Sequence, residues 1–133
     1  MKETLDIALS IPQRPPFVFI DTIETANEVM ARTRFTVPAN CPLVSGNILP
    51  LAGLLENMAQ TCAAQMGQKA GNKIGYIGAV KKLETNLLPR VGQTLTTEVR
   101  IIQQVFNICL MACTTSVEDR VIATATLKLA TIE

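Results

Sequence analysis

The chain contains no histidine. That absence removes the commonest general base near neutral pH, the commonest metal ligand and every triad built on an imidazole. The four cysteines, Cys41, Cys62, Cys109 and Cys113, form no C-x-x-C pair. Without histidine partners a zinc site is not expected, and no metal is assigned. They read as small packed thiols in a reducing cytoplasm, with Cys109 and Cys113 on one strand face. Charge is also scarce: 17% of 133 residues, for a net charge of +1. No strong field points to nucleic acid, and no basic run carries interleaved aromatics. The N-terminus, MKETLDIALS, contains acids and no long apolar core, unlike a signal peptide. The longest apolar-rich stretch is interrupted by Glu56, Asn57, Gln60 and Gln65, so it fails as a membrane span. The expectation is a cytoplasmic protein with neither nucleic acid nor membrane as partner.

What is abundant is apolar side chain, 48% of the sequence. That is ample for one domain over 1–133, and the surplus suggests an oligomer. The spacing predicts a helix from Pro50 to Lys69, with Leu51, Leu55, Met58, Cys62 and Met66 recurring at helical intervals. Pro50 suits the first helical position, and Gly67, Gly71 and Asn72 supply the stop. Almost every face of this helix is apolar or small, which predicts a buried core helix. Glu56 breaks the pattern as the only charged side chain between Arg34 and Lys69. A buried, unpaired carboxylate costs several kcal/mol or takes up a proton. Such an acid is either satisfied by hydrogen bonds or used for chemistry, and functional sites are where acids of this kind collect.

Elsewhere the chain alternates. Residues 3–10 suit a short amphipathic helix, which the proline-rich stretch from Ile11 to Pro16 ends. Phe17 to Thr25 and Glu28 to Val37 read as two strands of a hairpin around Ala26 and Asn27. A loop with two prolines leads to the long helix. Four strands follow: Ile74 to Leu83, Gln93 to Gln103, Phe106 to Val117 and Arg120 to Ile132. In the last of these, Val121, Ala123, Ala125, Leu127 and Leu129 are expected on one face. An antiparallel sheet wrapping one apolar helix is an α+β architecture.

Three stretches resemble the hotdog-fold 3-hydroxyacyl-(acyl-carrier-protein) dehydratases. Ile11 to Asp21, IPQRPPFVFID, is similar to the family's Leu-Pro-His-Arg-x-Pro-Phe-x-x-x-Asp. Leu54 to Gln60, LLENMAQ, is similar to Leu-Glu-Ala-Met-Ala-Gln on the family's central helix. The tail from Val91 through Leu127 follows the family's strand lengths. The resemblance implies a curved antiparallel sheet around the helix, paired subunits, and a site between them where a loop histidine and a helix glutamate share acid–base work. The glutamate falls on Glu56 and the family's helix glutamine on Gln60. The loop histidine has no counterpart; Asn47 stands near its place in the shorter stretch Ser45 to Pro50. An amide can only donate or accept a hydrogen bond there. Backbone N–H groups of Leu51, Ala52 and Gly53, at the positive end of the helix, are expected to polarise the thioester carbonyl.

The function implied is a dehydratase-like lyase on 3-hydroxyacyl thioesters of fatty-acid or polyene-type biosynthesis, with Glu56 as general acid/base and Asn47 orienting substrate. No cofactor is implied beyond the phosphopantetheine of a carrier protein, or CoA, that bears the substrate. An acyl carrier protein is the expected partner, and a homodimer or a hexamer of dimers the expected assembly. Two alternatives stand beside this: a hotdog acyl thioesterase using Glu56 to activate water, and a non-catalytic acyl-thioester-binding subunit paired with an active homologue.

Overall fold

The structure is a computed structural model that describes residues 7, 11, 13–67 and 74–132, with side chains described for 77–130 of the last segment. It consists of β1 (Thr22–Ala26), β2 (Met30–Thr36), α1 (Leu51–Met66), β3 (Ile74–Thr85), β4 (Thr94–Val105), β5 (Ile108–Val117) and β6 (Arg120–Ile132). The strands form one six-stranded sheet in the order β1-β2-β4-β5-β6-β3, antiparallel at every pairing. Helix α1 packs against its inner face, chiefly across β2 and β4. The α+β expectation is therefore realised. Of the short helix expected over 3–10, only Ile7 lies among the described residues, and it is helical.

The core follows from alternation. Leu95 and Val99 of β4, Met111 and Cys113 of β5, and Leu127 and Leu129 of β6 point inward against Leu54, Met58 and Cys62 of α1. Two local departures from the sequence reading have physical causes. A register shift between Thr115 and Ser116 pairs Thr115 with Ala123 but Ser116 with Val121. The irregularity turns Ile122 inward and leaves Val121 exposed, contrary to the simple alternation. Phe17 to Ile20 belongs to no strand; Phe17 and Phe19 are hydrogen-bonded to side chains of α1, and β1 begins only at Thr22.

The helix also differs from expectation. Pro50 is its N-cap, in extended geometry with ψ of 173, and helical residues start at Leu51. Burial is not uniform. Gly53, Leu54, Asn57, Met58, Gln60, Thr61, Cys62, Ala64, Gln65 and Met66 are buried, whereas Leu51, Ala52, Leu55, Glu56, Ala59 and Ala63 form a stripe that remains partly open. Glu56 is on that stripe and is half-buried. The small residues Ala59 and Ala63 lie on this stripe. Ala63 packs against the apolar cluster of Ile11, Ile20, Ile23 and Ala64.

Candidate active site

Gln60, one turn after Glu56 and fully buried, donates from Nε2 to Glu56 Oε1 at 2.9 Å. The same Nε2 donates to the Phe17 carbonyl at 2.8 Å, and Gln60 Oε1 accepts the Phe19 N–H at 2.7 Å. These backbone partners settle which end of the amide is which, because an N–H can only donate and a carbonyl can only accept. Gln60 therefore presents N–H, and nothing else, to Glu56. Glu56 Oε1 is held as an acceptor, so a proton on this carboxyl sits on Oε2.

Asn57 fastens the same stretch of chain: its Nδ2 donates to the Phe19 carbonyl at 2.7 Å, and its Oδ1 accepts from Thr97 at 2.6 Å. Thr97 and Thr115 hydroxyls meet at 2.8 Å, as do those of Thr33 and Thr61. A buried polar seam thus runs through the helix–sheet interface, and each link satisfies a group that would otherwise be costly to bury. Its helix side, Asn57, Gln60, Thr61 and Gln65, was visible in sequence as polar residues at helical spacing. Its partners, about forty residues away in sequence, were not.

At the start of α1 no side chain caps the helix, and the first turn holds no acid. The Pro50 carbonyl accepts both Gly53 N–H at 2.9 Å and Leu54 N–H at 3.2 Å. Gly53 N–H is therefore already engaged. Those of Leu51 and Ala52 precede the first intrahelical bond and carry the positive end of the helix. Glycine is needed at position 53 for packing, since a Cβ there would come within 2.3 Å of Leu49 Cδ1.

Asn47 occupies a two-residue turn with Gly46. Ser45 and Ile48 exchange backbone hydrogen bonds across it, and both central residues have positive φ, +58 and +67. That is the turn geometry for which Gly and Asn are favoured. The Asn47 carbonyl accepts Val91 N–H at 3.1 Å, so the turn is pinned to the stretch before β4. The Asn47 side chain is exposed, and no hydrogen bond joins it to Glu56. Of the six residues singled out from the sequence, the structure brings Glu56 and Gln60 into direct contact. Leu51, Ala52 and Gly53 form the preceding turn of the same helix, and Asn47 lies apart on its loop.

All four cysteines are buried, and none is in a disulfide. Cys62 and Cys113 approach to 3.8 Å between sulfurs. Burial, followed by the hydrogen bond to Cys113 and nearby thiol charge, pushes the Cys62 thiol well above its ordinary value. Such a thiol is a packing group and a poor nucleophile. Among the described residues no group of three His, Cys, Asp or Glu is placed to hold a metal ion.

Comparison with known proteins agrees with this plan. The 3-hydroxyacyl-[acyl-carrier-protein] dehydratase FabZ of Lactiplantibacillus plantarum is 26% identical over 134 residues, spanning 94% of this chain and 90% of that protein. The dehydratase heterocomplex ApeI:P from Xenorhabdus doucetiae superposes with a TM-score of 0.88 at 16% identity, covering 97% of this chain and 92% of that one. A hypothetical thioesterase protein from Streptococcus pneumoniae, solved with coenzyme A, superposes with a TM-score of 0.68 at 14% identity over 83% and 84% of the two chains. These structural likenesses establish the hotdog fold. The family described as ApeP-like, ApeP dehydratase, matches residues 5–133, and the chain belongs to it.

Proposed function

We propose that this protein acts as a dehydratase on 3-hydroxyacyl thioesters carried by the phosphopantetheine of an acyl carrier protein, with Glu56 as its acid–base group. One observation carries the reading: a carboxylate on the open stripe of the central helix, held through one oxygen by Gln60, one turn beyond an uncapped helix start. In the step proposed, Glu56 Oε2 takes the proton from Cα. The electron pair of that C–H bond becomes the new double bond as the Cβ–oxygen bond breaks. The departing hydroxyl takes the proton back from Oε2 and leaves as water. The carboxylate ends as it began, and the product is a 2-enoyl thioester. N–H groups of Leu51 and Ala52 stabilise the charge that develops on the thioester oxygen. Asn47 orients the substrate from the loop, the more so if a second subunit brings another copy of that loop to the site. Because one oxygen must serve both transfers, the proton and the hydroxyl have to leave from the same side of the substrate. The assembly proposed is built from dimers and works in the cytoplasm.

A second reading is favoured by the missing base. The ApeI:P relative is a heterocomplex. A chain without histidine that keeps the helix acid could bind the acyl thioester while a different subunit supplies the base. The thioesterase alternative rests on fold likeness to a hypothetical thioesterase protein. The deciding experiment offers a 3-hydroxyacyl and a plain acyl carrier-protein thioester to wild type and Glu56→Gln. Water loss that drops by orders of magnitude in the variant, with analogue binding kept, supports the dehydratase. Hydrolysis of the plain thioester points to the thioesterase, and binding without turnover to the partner subunit. A Glu56→Gln protein that dehydrates as fast as wild type removes Glu56 from the chemistry.

A further inference from the structure

The β4–β5 hairpin closes with a two-residue turn, Phe106 and Asn107, between the paired residues Val105 and Ile108. Phe106 has a φ of +54. That is left-handed backbone, where Gly and Asn are at home and a bulky side chain is disfavoured. The ring is also 95% exposed, with Ile102 at 58%, Val105 at 49% and Ile108 at 39% around it. Neither the strain nor the exposure assists folding. From Ile101 through Val117 the chain carries no charged residue. Behind the tip lies a groove of about 200 Å³ lined by Lys81, Gln103, Val105, Ile108, Leu110 and Lys128. None of the six is acidic, and neither lysine forms a salt bridge with a described residue. Lys128 pairs in register with Leu110, four residues back from Phe106, or roughly 13 Å at the rise of a strand.

We propose that this hairpin tip seats on an anionic lipid surface, with Phe106 and its apolar neighbours in the acyl boundary and Lys81 and Lys128 among the phosphates. Three features select that occupant. The apolar groups stand out at the end of a hairpin, as an inserting element does. Lys128 is set back by little more than the roughly 5–10 Å to which an interfacial element penetrates, and Lys81, in register with Thr126 and so two residues farther from the tip, lines the same groove. A second copy of the same face would oppose lysine to lysine, whereas an anionic surface complements them. Surface attachment needs no spanning helix, and none of the described helices is long and apolar enough to be one. The inference revises the expectation of no membrane partner, and it does not rest on the role of Glu56.

Co-sedimentation of the full chain with vesicles tests it. Wild type should pellet with mixed phosphatidylcholine and phosphatidylglycerol vesicles and remain in solution with phosphatidylcholine alone. Phe106→Asn should bind at least about tenfold more weakly while melting no lower than wild type, since Asn suits the left-handed turn. Lys81→Gln with Lys128→Gln should abolish the preference for the anionic lipid. The proposal is overturned if wild type ignores the mixed vesicles, as it would were the tip a protein contact. It is equally overturned if Phe106→Asn binds as tightly as wild type, or if the double lysine variant keeps its lipid preference.

Discussion

Gly53 shows how a single position couples the loop to the helix. Its missing side chain makes room for Leu49, itself fully buried, so Leu49 cannot simply swing away from an added Cβ. Gly53→Ala should therefore overpack the site at a cost of about 1–3 kcal/mol, offset by about 1 kcal/mol of better helix propensity. A lowered midpoint in chemical denaturation checks the sign, and adding Leu49→Val should recover part of the loss. Cys62 makes a prediction of a different kind. Its folded-state proton is held well above the ordinary thiol value of 9.0, whereas the unfolded thiol loses its proton near that value. The unfolded state thus binds fewer protons as pH rises past 9.0, and its share of stability falls there. Melting temperature should decline above that pH, and Cys62→Ala should flatten part of the decline. Sequence reasoning identified Glu56 from its isolation among apolar neighbours. It overstated the burial, because periodicity shows that a helix is apolar all round without showing which side the sheet leaves uncovered.

At the scale of elements, the stretch from Phe17 to Phe19 is held by α1. The sheet takes no part in that stretch's binding to Gln60 and Asn57. Sequence periodicity placed this stretch in a strand because its composition, FVF, suits one. The Gln60 amide that redirects it, 41 positions from Phe19 and 43 from Phe17, is invisible to any local window. Gln60→Met would keep side-chain volume but strip Phe19 N–H and the Phe17 carbonyl of partners, at about 1–3 kcal/mol for each buried group. We expect that variant to be clearly less stable by denaturation. In it, turnover of a 3-hydroxyacyl thioester should fall more than substrate affinity if Glu56 acts as proposed, because Glu56 would lose the contact at Oε1 that orients its carboxyl group. The helix core and the limits of β6 were legible, being long and strongly periodic. The inward turn of Ile122 was not, because a one-residue irregularity reverses alternation without leaving a mark in composition.

For the whole molecule, charge and shape are unevenly distributed. Arg32 and Arg100 meet Glu98, and Arg34 meets Glu24, so the β1–β2–β4 side of the sheet is internally paired. The opposite edge strand, β3, pairs only with β6 and exposes Ile77 and Val80. Register shifts after Ile77 and Lys81, with Lys82 at a φ of +51, kink that edge. A bulged edge resists indiscriminate strand addition, which restricts pairing with a second copy to its straighter part. Together with the uncovered stripe of α1, this leads us to expect a dimer in solution. Light scattering that returns a monodisperse monomer at micromolar concentration would contradict it. The apolar surplus in the composition points the same way. Which edge is free depends on strand order, and strand order is not written in any one strand.

The fastening of Phe19 also has a use in measurement. Its amide hydrogen is bonded to the very side chain that steadies Glu56. Any ligand or partner that draws Gln60 away must release that hydrogen to solvent, while the sheet ladders keep theirs. The exchange rate of one backbone amide therefore works as a gauge of the acid's surroundings, readable without substrate, turnover or a reporter dye.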